Sequence, residues 1–328
     1  MRIVSVLLSG LKKTESPTQT RVAEPAVSNA TQKADTKNTV PATSYDKNSA
    51  LYKIREKILN FFLFKPVRVR FKDEFKGLPI DDGYAYEDIF IDTSDGEKLH
   101  GFYIPAKEAT DKVVIYLHGY DQNVGVWYKA ATNLIDNIPV NVLLVDYRGY
   151  GLSTGSPTRE GVINDAVSMY QYLLEKGFEG KNISLHGRSL GGAIALEAAS
   201  RIKREGNDLK GIYLQSTYSN MKDVVEDVRP GIPPTWPRWV PSLLPFRRSI
   251  ILNDWFNSEE RIKELAEIPV LISHGTKDKM ISREHALKLH EALCEPKLDI
   301  VWLEGAGHNH QKHAYTPEYF AMLKKLYL

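Results

Sequence analysis

Residues Ile183 to Ala199 read ISLHGRSLGGAIALEAA. An apolar run, Ile183 to His186, passes through Gly187-Arg188-Ser189-Leu190-Gly191 into a small-residue helical pattern beginning near Gly192. This is the strand–turn–helix context of a nucleophile elbow, whose central residue is held in a strained backbone conformation while strand and helix come close together. Gly187, Gly191 and Gly192 suit that approach, because bulky residues on either side of the turn would clash there. Ser189 stands at the turn. The following helix would aim its N-terminal N–H groups at the place where an oxyanion forms in acyl transfer. G-x-S-x-G also occurs by chance in loops, and the flanking strand and helix are what argue against that reading here.

Outward from this stretch the chain alternates between strand and helix patterns. Tyr86–Asp92 and Lys98–Ile104, joined across Thr93-Ser94-Asp95-Gly96, read as an antiparallel hairpin with an Asp-Gly turn. Short apolar runs follow at Val113–Leu117, Val142–Val145, Ile183–His186, Ile212–Gln215, Val270–Ser273 and Ile300–Leu303. Runs this continuous suit strands buried on both faces. Helical patterns lie between them, notably Thr158–Glu175, stopped by Gly177. The expected architecture is α/β, a mostly parallel central sheet flanked by helices.

Five segments in order carry a resemblance: YLHGY (Tyr116–Tyr120), DYRGYGLSTGSPT (Asp146–Thr158), HGRSLGG (His186–Gly192), HGTKDKMIS (His274–Ser282) and GAGHN (Gly305–Asn309). Together they resemble the motifs of serine hydrolases of the α/β-hydrolase superfamily, most closely the ABHD-type branch, over roughly residues 86–328. The resemblance implies hydrolysis of an ester, thioester, lipid or amide bond. It makes Ser189 the nucleophile, His308 the general base and Asp278 the carboxylate that orients the imidazole, in the chain order Ser, Asp, His. It also assigns the backbone N–H groups of Tyr120 and Leu190 to the oxyanion hole, with the Tyr120 ring crowding or shaping the acyl site. His118, Asp146 and Arg148 are read as residues that order loops.

Each role has a physical basis. A Ser hydroxyl is a weak nucleophile at neutral pH, so a neutral imidazole must take its proton during attack; a free imidazole titrates near ~6.5. His310 and His313 rival His308 for the base, and the three together offer a metal cluster. No acidic ligand motif accompanies them and a Ser elbow needs no metal, so neither metal nor cofactor is expected. Asp278 alone would read as a solvated loop carboxylate beside Lys277 and Lys279. An Asp at the elbow would have pointed to dehalogenase or epoxide hydrolase chemistry, and Ser189 excludes that. An amidase or peptidase of this fold, or a catalytically inactive binding protein, are the alternatives. Propeller-bearing peptidases are disfavoured because the segment before Tyr86 is too short, and an inactive scaffold commonly loses a triad position, whereas all three are filled here.

The 328-residue chain is ordinary in its apolar and charged content, 42% and 26%, so it reads as globular for most of its length. A net charge of +2 with no long basic run argues against nucleic acid as a partner. Cys294, the single cysteine, excludes an intramolecular disulfide and fits a reducing, cytoplasmic compartment. Residues 1–48 are expected to be disordered, since 14–48 hold almost no large apolar residues. The short apolar run at Ile3–Leu11 is followed by Lys12-Lys13 without a cleavage pattern, which disfavours secretion.

Residues 49–85 read as an amphipathic helix and connector. Within 51–64, Leu51, Ile54, Ile58 and Phe61/Phe62 recur at helical spacing beside basic residues. Such a helix either packs on the body or rests on an anionic membrane surface as a peripheral contact. Between the sixth and seventh strands, about 217–268, a Pro-rich insertion holds Trp236, Trp239, Phe246 and Trp255 and reads either as a cap over an acyl site or as packing on the body. The expected partner is a small or lipid-like acyl substrate.

Overall fold

The computed structural model describes residues 50–227, 255–294, 298–309 and 315–328. The expected disordered segment 1–48 and the centre of the cap, with Trp236, Trp239 and Phe246, lie outside the described residues.

Eight strands form one sheet. β1 (Glu87–Asp92) and β2 (Lys98–Ile104) pair antiparallel with Asp92 opposite Lys98. The turn between them needs a left-handed residue, and Gly96 supplies it at φ 89°. β3 (Val113–Leu117), β4 (Asn141–Val145), β5 (Ile183–Arg188), β6 (Gly211–Gln215), β7 (Val270–Gly275) and β8 (Val301–Leu303) follow. The spatial order is β8-β7-β6-β5-β3-β4-β2-β1, parallel throughout except that β2 runs antiparallel to both of its neighbours. Every residue of β3, β4, β6 and β7 is buried, which explains their unbroken apolar runs: helices cover both faces and leave no polar side.

On one face, α3 (Arg159–Glu175) and α4 (Leu190–Arg204) build a core with Ile194, Leu196, Val162 and Leu185. On the other, α2 (Val124–Asn137) and α8 (Pro317–Tyr327) enclose Tyr116, Leu134, Tyr213 and Leu323. Helix α3 begins where Thr158 accepts a hydrogen bond from Gly161 N at 3.0 Å, and Gly177 at φ 95° follows its C-terminal end. Thr158→Ala removes that cap and is expected to lower stability by about 1 kcal/mol, read as a shift in the urea midpoint with unchanged slope.

The remaining helices are α1 (Ala50–Leu63), α5 (Met221–Asp227), α6 (Ser258–Lys263) and α7 (Arg283–Ala292). Helix α1 forms as its spacing predicts, and one part of the membrane reading needs correction. Phe64 is buried in the core, with Leu59 and Leu63 packed against it, because the chain turns there into a two-residue pairing of Lys65–Pro66 with Asp121–Gln122. Phe64 therefore cannot belong to a membrane-facing surface. Phe61 is 76% exposed. The side chains of Leu51, Ile54, Ile58 and Phe62 lie outside those described. Trp255 is buried too, its Nε1 donating to Glu56 Oε1 at 2.9 Å, so this one of the insertion's tryptophans packs on the body.

Candidate active site

The elbow forms where β5 ends and α4 begins. Ser189 has φ 53° and ψ −119°, a conformation that costs a residue with a side chain of order 1–3 kcal/mol and persists only when its surroundings hold it. They do so through the main chain: Ser189 N donates to Gln215 O at 2.9 Å, while Thr217 Oγ1 and Gly192 N donate to Ser189 O at 2.7 and 2.9 Å. A Cβ on Gly187 would run into the backbone of Gly191 and Gly192, and one on Gly191 into the carbonyl of Leu117. Both glycines are thus required by the distance between strand and helix.

His308 comes from the loop after β8 and Asp278 from the loop after β7, across the C-terminal ends of the parallel strands. Ser189 Oγ lies 3.0 Å from His308 Nε2, and His308 Nδ1 lies 2.8 Å from Asp278 Oδ2. Burial opposes ionisation of Asp278, but its hydrogen bond to His308, the nearby imidazole charge and the Ile281 N–H outweigh it and hold the carboxyl below its ordinary range. Oδ1 accepts from Met280 N at 2.9 Å and Ile281 N at 3.0 Å, which fixes the carboxylate plane. An ionised Asp278 accepts the proton of Nδ1, so the lone pair of Nε2 faces the Ser hydroxyl. The three groups can relay one proton from Ser189 to His308 while Asp278 stabilises the resulting cation.

The loop after β3 reaches Ser189: a Cβ placed on Gly119 would sit 3.9 Å from Ser189 Cβ. Neither Tyr120 N nor Leu190 N has a backbone acceptor among the described residues; Leu190 opens α4, where N–H groups have no intrahelical partner. The Tyr120 carbonyl accepts from Lys65 N at 3.0 Å and Tyr150 Oη at 2.7 Å, and its ring packs against the core. His118 orders this loop, with Nδ1 2.8 Å from Gly119 O and its ring 4.2 Å from that of Tyr147. Burial pushes its pKa down to about 4, so it is neutral. Asp146 Oδ1 accepts from Val124 N at 2.9 Å and so anchors the start of α2.

His310 and His313 lie outside the described residues. Two neighbours of the triad escape sequence reasoning. Arg188 Nη2 donates to the His308 carbonyl at 2.6 Å, and His274 Nε2, 2.9 Å from Ile281 O, stands 3.6 Å from Asp278 Oδ2. Both sit inside the quoted motifs; the partner of Arg188 comes from another loop 120 residues away, whereas those of His274 lie within its own motif.

The family model for the α/β hydrolase fold matches residues 112–248. An uncharacterized protein of Salmonella typhi, YfhR, is 29% identical over 231 residues, covering 67% of this chain and 73% of that protein. The human alpha/beta hydrolase domain-containing protein 17C is 27% identical over 226 residues, 69% of this chain and 61% of its own length. Among solved structures, the Pyrococcus furiosus esterase Pf2001 superposes with a TM-score of 0.63 at 20% identity, over 80% of this chain and 96% of that one. Strand order and elbow are those of the α/β-hydrolase fold, the fold whose family model the chain matches over residues 112–248.

Proposed function

We propose that the protein is a serine hydrolase that cleaves a carboxylic ester or thioester through an acyl-enzyme on Ser189. The observation that carries this reading is the hydrogen-bonded series Ser189 Oγ, His308 Nε2, Asp278 at 3.0 and 2.8 Å. Ser189 Oγ attacks the acyl carbon as its proton passes to His308 Nε2, and the carbonyl oxygen becomes an oxyanion held by the N–H groups of Tyr120 and Leu190. Collapse breaks the bond to the leaving alcohol or thiol, which takes the proton from His308. A water deprotonated by His308 then attacks the acyl carbon, releasing the carboxylic acid and restoring the Ser hydroxyl.

The ester reading is further supported by the Pyrococcus furiosus relative, which is described as an esterase. The test is a profile of the purified protein against p-nitrophenyl esters of increasing chain length, an acyl thioester and the matching anilide. Turnover of esters or the thioester with the anilide inert supports the proposal; anilide turnover at a comparable rate would assign an amidase instead.

We also propose a peripheral contact with anionic membrane surfaces through α1, supported by Phe61, which is 76% exposed on a segment followed by Lys65, Arg68 and Arg70. Phe61→Ser is expected to weaken co-sedimentation with phosphatidylserine vesicles by about ten- to a hundredfold, since burying one such side chain contributes about 1.5–3 kcal/mol. Turnover of a soluble ester should stay the same. Vesicle binding unchanged by this substitution would remove the helix from the contact. No helix among the described residues is long and apolar enough to cross a bilayer.

A further inference from the structure

Beside the triad, on the α2 and α8 side of the sheet, the described residues line a cavity of about 280 Å³. Neither Ser189, His308 nor Asp278 lines it. Tyr116 and His186 contribute from β3 and β5, Trp127 from α2, Tyr315 from just before α8, Phe320 from its first turn, and Arg188 from the end of β5. Gly119 lies against both the Trp127 ring, which lines this space, and Ser189: its missing Cβ would be 3.4 Å from Trp127 Cζ2 and 3.9 Å from Ser189 Cβ.

The walls are already formed. Trp127 Nε1 donates to Asp121 O at 3.0 Å, and Tyr315 stacks on Tyr319 with centroids 4.5 Å apart while Gln215 Nε2 donates to its hydroxyl at 2.6 Å. The Tyr327 hydroxyl donates to His186 Nδ1 at 3.1 Å; burial pushes the His186 pKa down to about 3, so that ring adds no charge. Beside the neutral amides of Asn133 and Asn309, the one charged group among the lining residues is a cation. Arg188 lies with its guanidinium carbon 5.0 Å from the centroid of the Trp127 ring, and Nη2 donates to two neutral acceptors, His308 O and Asn309 Oδ1. Among the described residues no carboxylate lies within ion-pair distance of it, and no Asp or Glu lines the cavity.

A guanidinium on an aromatic face, partly withdrawn from water and without a counter-ion, favours an anion that its planar fork can hold, and surrounding rings favour an apolar body on that anion. We propose that this cavity binds a small amphipathic carboxylate, with its head on Arg188 and its apolar body between Trp127 and Tyr315. The chemistry excludes a bare inorganic anion, which would leave the rings unused, and a neutral aromatic, which would leave the cation unpaired.

Binding is measured by calorimetry on Ser189→Ala protein, so the result does not depend on whether the chain is a hydrolase. Because Arg188 also holds the His308 carbonyl, affinity and not turnover is the readout. The probes are phenylacetate, its neutral isostere phenylacetamide, and inorganic phosphate. Phenylacetate is expected to bind about ten- to a hundredfold more tightly than phenylacetamide, the range of charge-assisted hydrogen bonds, and more tightly than phosphate. Arg188→Gln should reduce the preference over the amide to within about threefold. Ala130→Phe, which adds a ring at the cavity wall, should abolish binding of both organic probes while the thermal melt stays cooperative. Should Arg188→Gln fail to fold, the comparison of acid with amide and the Ala130→Phe variant still decide. Equal affinity for acid and amide, phosphate binding as tight as phenylacetate, or binding indifferent to Ala130→Phe would each overturn the site.

Discussion

Ser189→Ala is expected to abolish labelling by a fluorophosphonate probe and to lower ester turnover by about four to six orders of magnitude, to the level left by binding and the oxyanion donors alone. The expectation follows from geometry that makes the three side chains act as a unit: Oγ is 3.0 Å from Nε2, and Nδ1 is 2.8 Å from a carboxylate already committed to two backbone N–H groups. In such a unit single losses are not additive, so His308→Ala should cost nearly as much and the double variant little more. Asp278→Asn should retain more activity, because the amide still packs in place but stabilises the wrong imidazole tautomer. The measurements are gel fluorescence for labelling and single-turnover kinetics for acyl transfer. Undiminished turnover by Ser189→Ala would remove the acyl-enzyme from the mechanism.

What the sequence discloses about this molecule depends on how local each constraint is. The elbow glycines are legible because the collision they avoid, Gly187 against Gly191 and Gly192, lies within a handful of residues. The strands are legible because burial on both faces leaves a run with no polar alternation, as in Val113–Leu117. Asp278 and His308 are different: the contacts that define them span 30 and 119 residues, so order and resemblance suggested them while no local pattern could. Arg188 escaped altogether. Its carbonyl partner is 120 residues away, and within the motif it reads as the variable residue of the turn. Phe64 shows the converse limit, since helical periodicity tells which residues share a face but not what covers that face. The β-pairing at Lys65–Pro66, which draws Phe64 inward, has no signature of its own in two residues.

Arg148→Met is expected to destabilise the fold by about 3–5 kcal/mol, well above the loss of the Thr158 cap. Arg148 follows β4 and joins three parts of the chain that site geometry depends on. Its Nε and Nη2 donate to Asp165 Oδ1 at 2.9 and 2.7 Å, and its backbone N donates to Oδ2 at 2.8 Å, tying the turn to α3. Nη1 and Nη2 reach Asp95 at 2.7 and 2.9 Å, in the β1–β2 turn. Burial of the two acids is unequal and decides the energetics. The side chain of Asp165 is 0% exposed and that of Asp95 is 47% exposed. Removing the guanidinium leaves the Asp165 carboxylate in the interior with a single backbone donor, a cost that solvent cannot relieve, whereas Asp95 turns to water. Asp95→Asn should therefore cost no more than about 1 kcal/mol, as exposed pairs do. The double replacement Arg148→Met with Asp165→Leu should recover much of the loss, since it removes the buried charge together with its partner. Urea unfolding of the three variants separates the cases: a single Arg148→Met as mild as Asp95→Asn would show that Asp165 does not depend on the guanidinium.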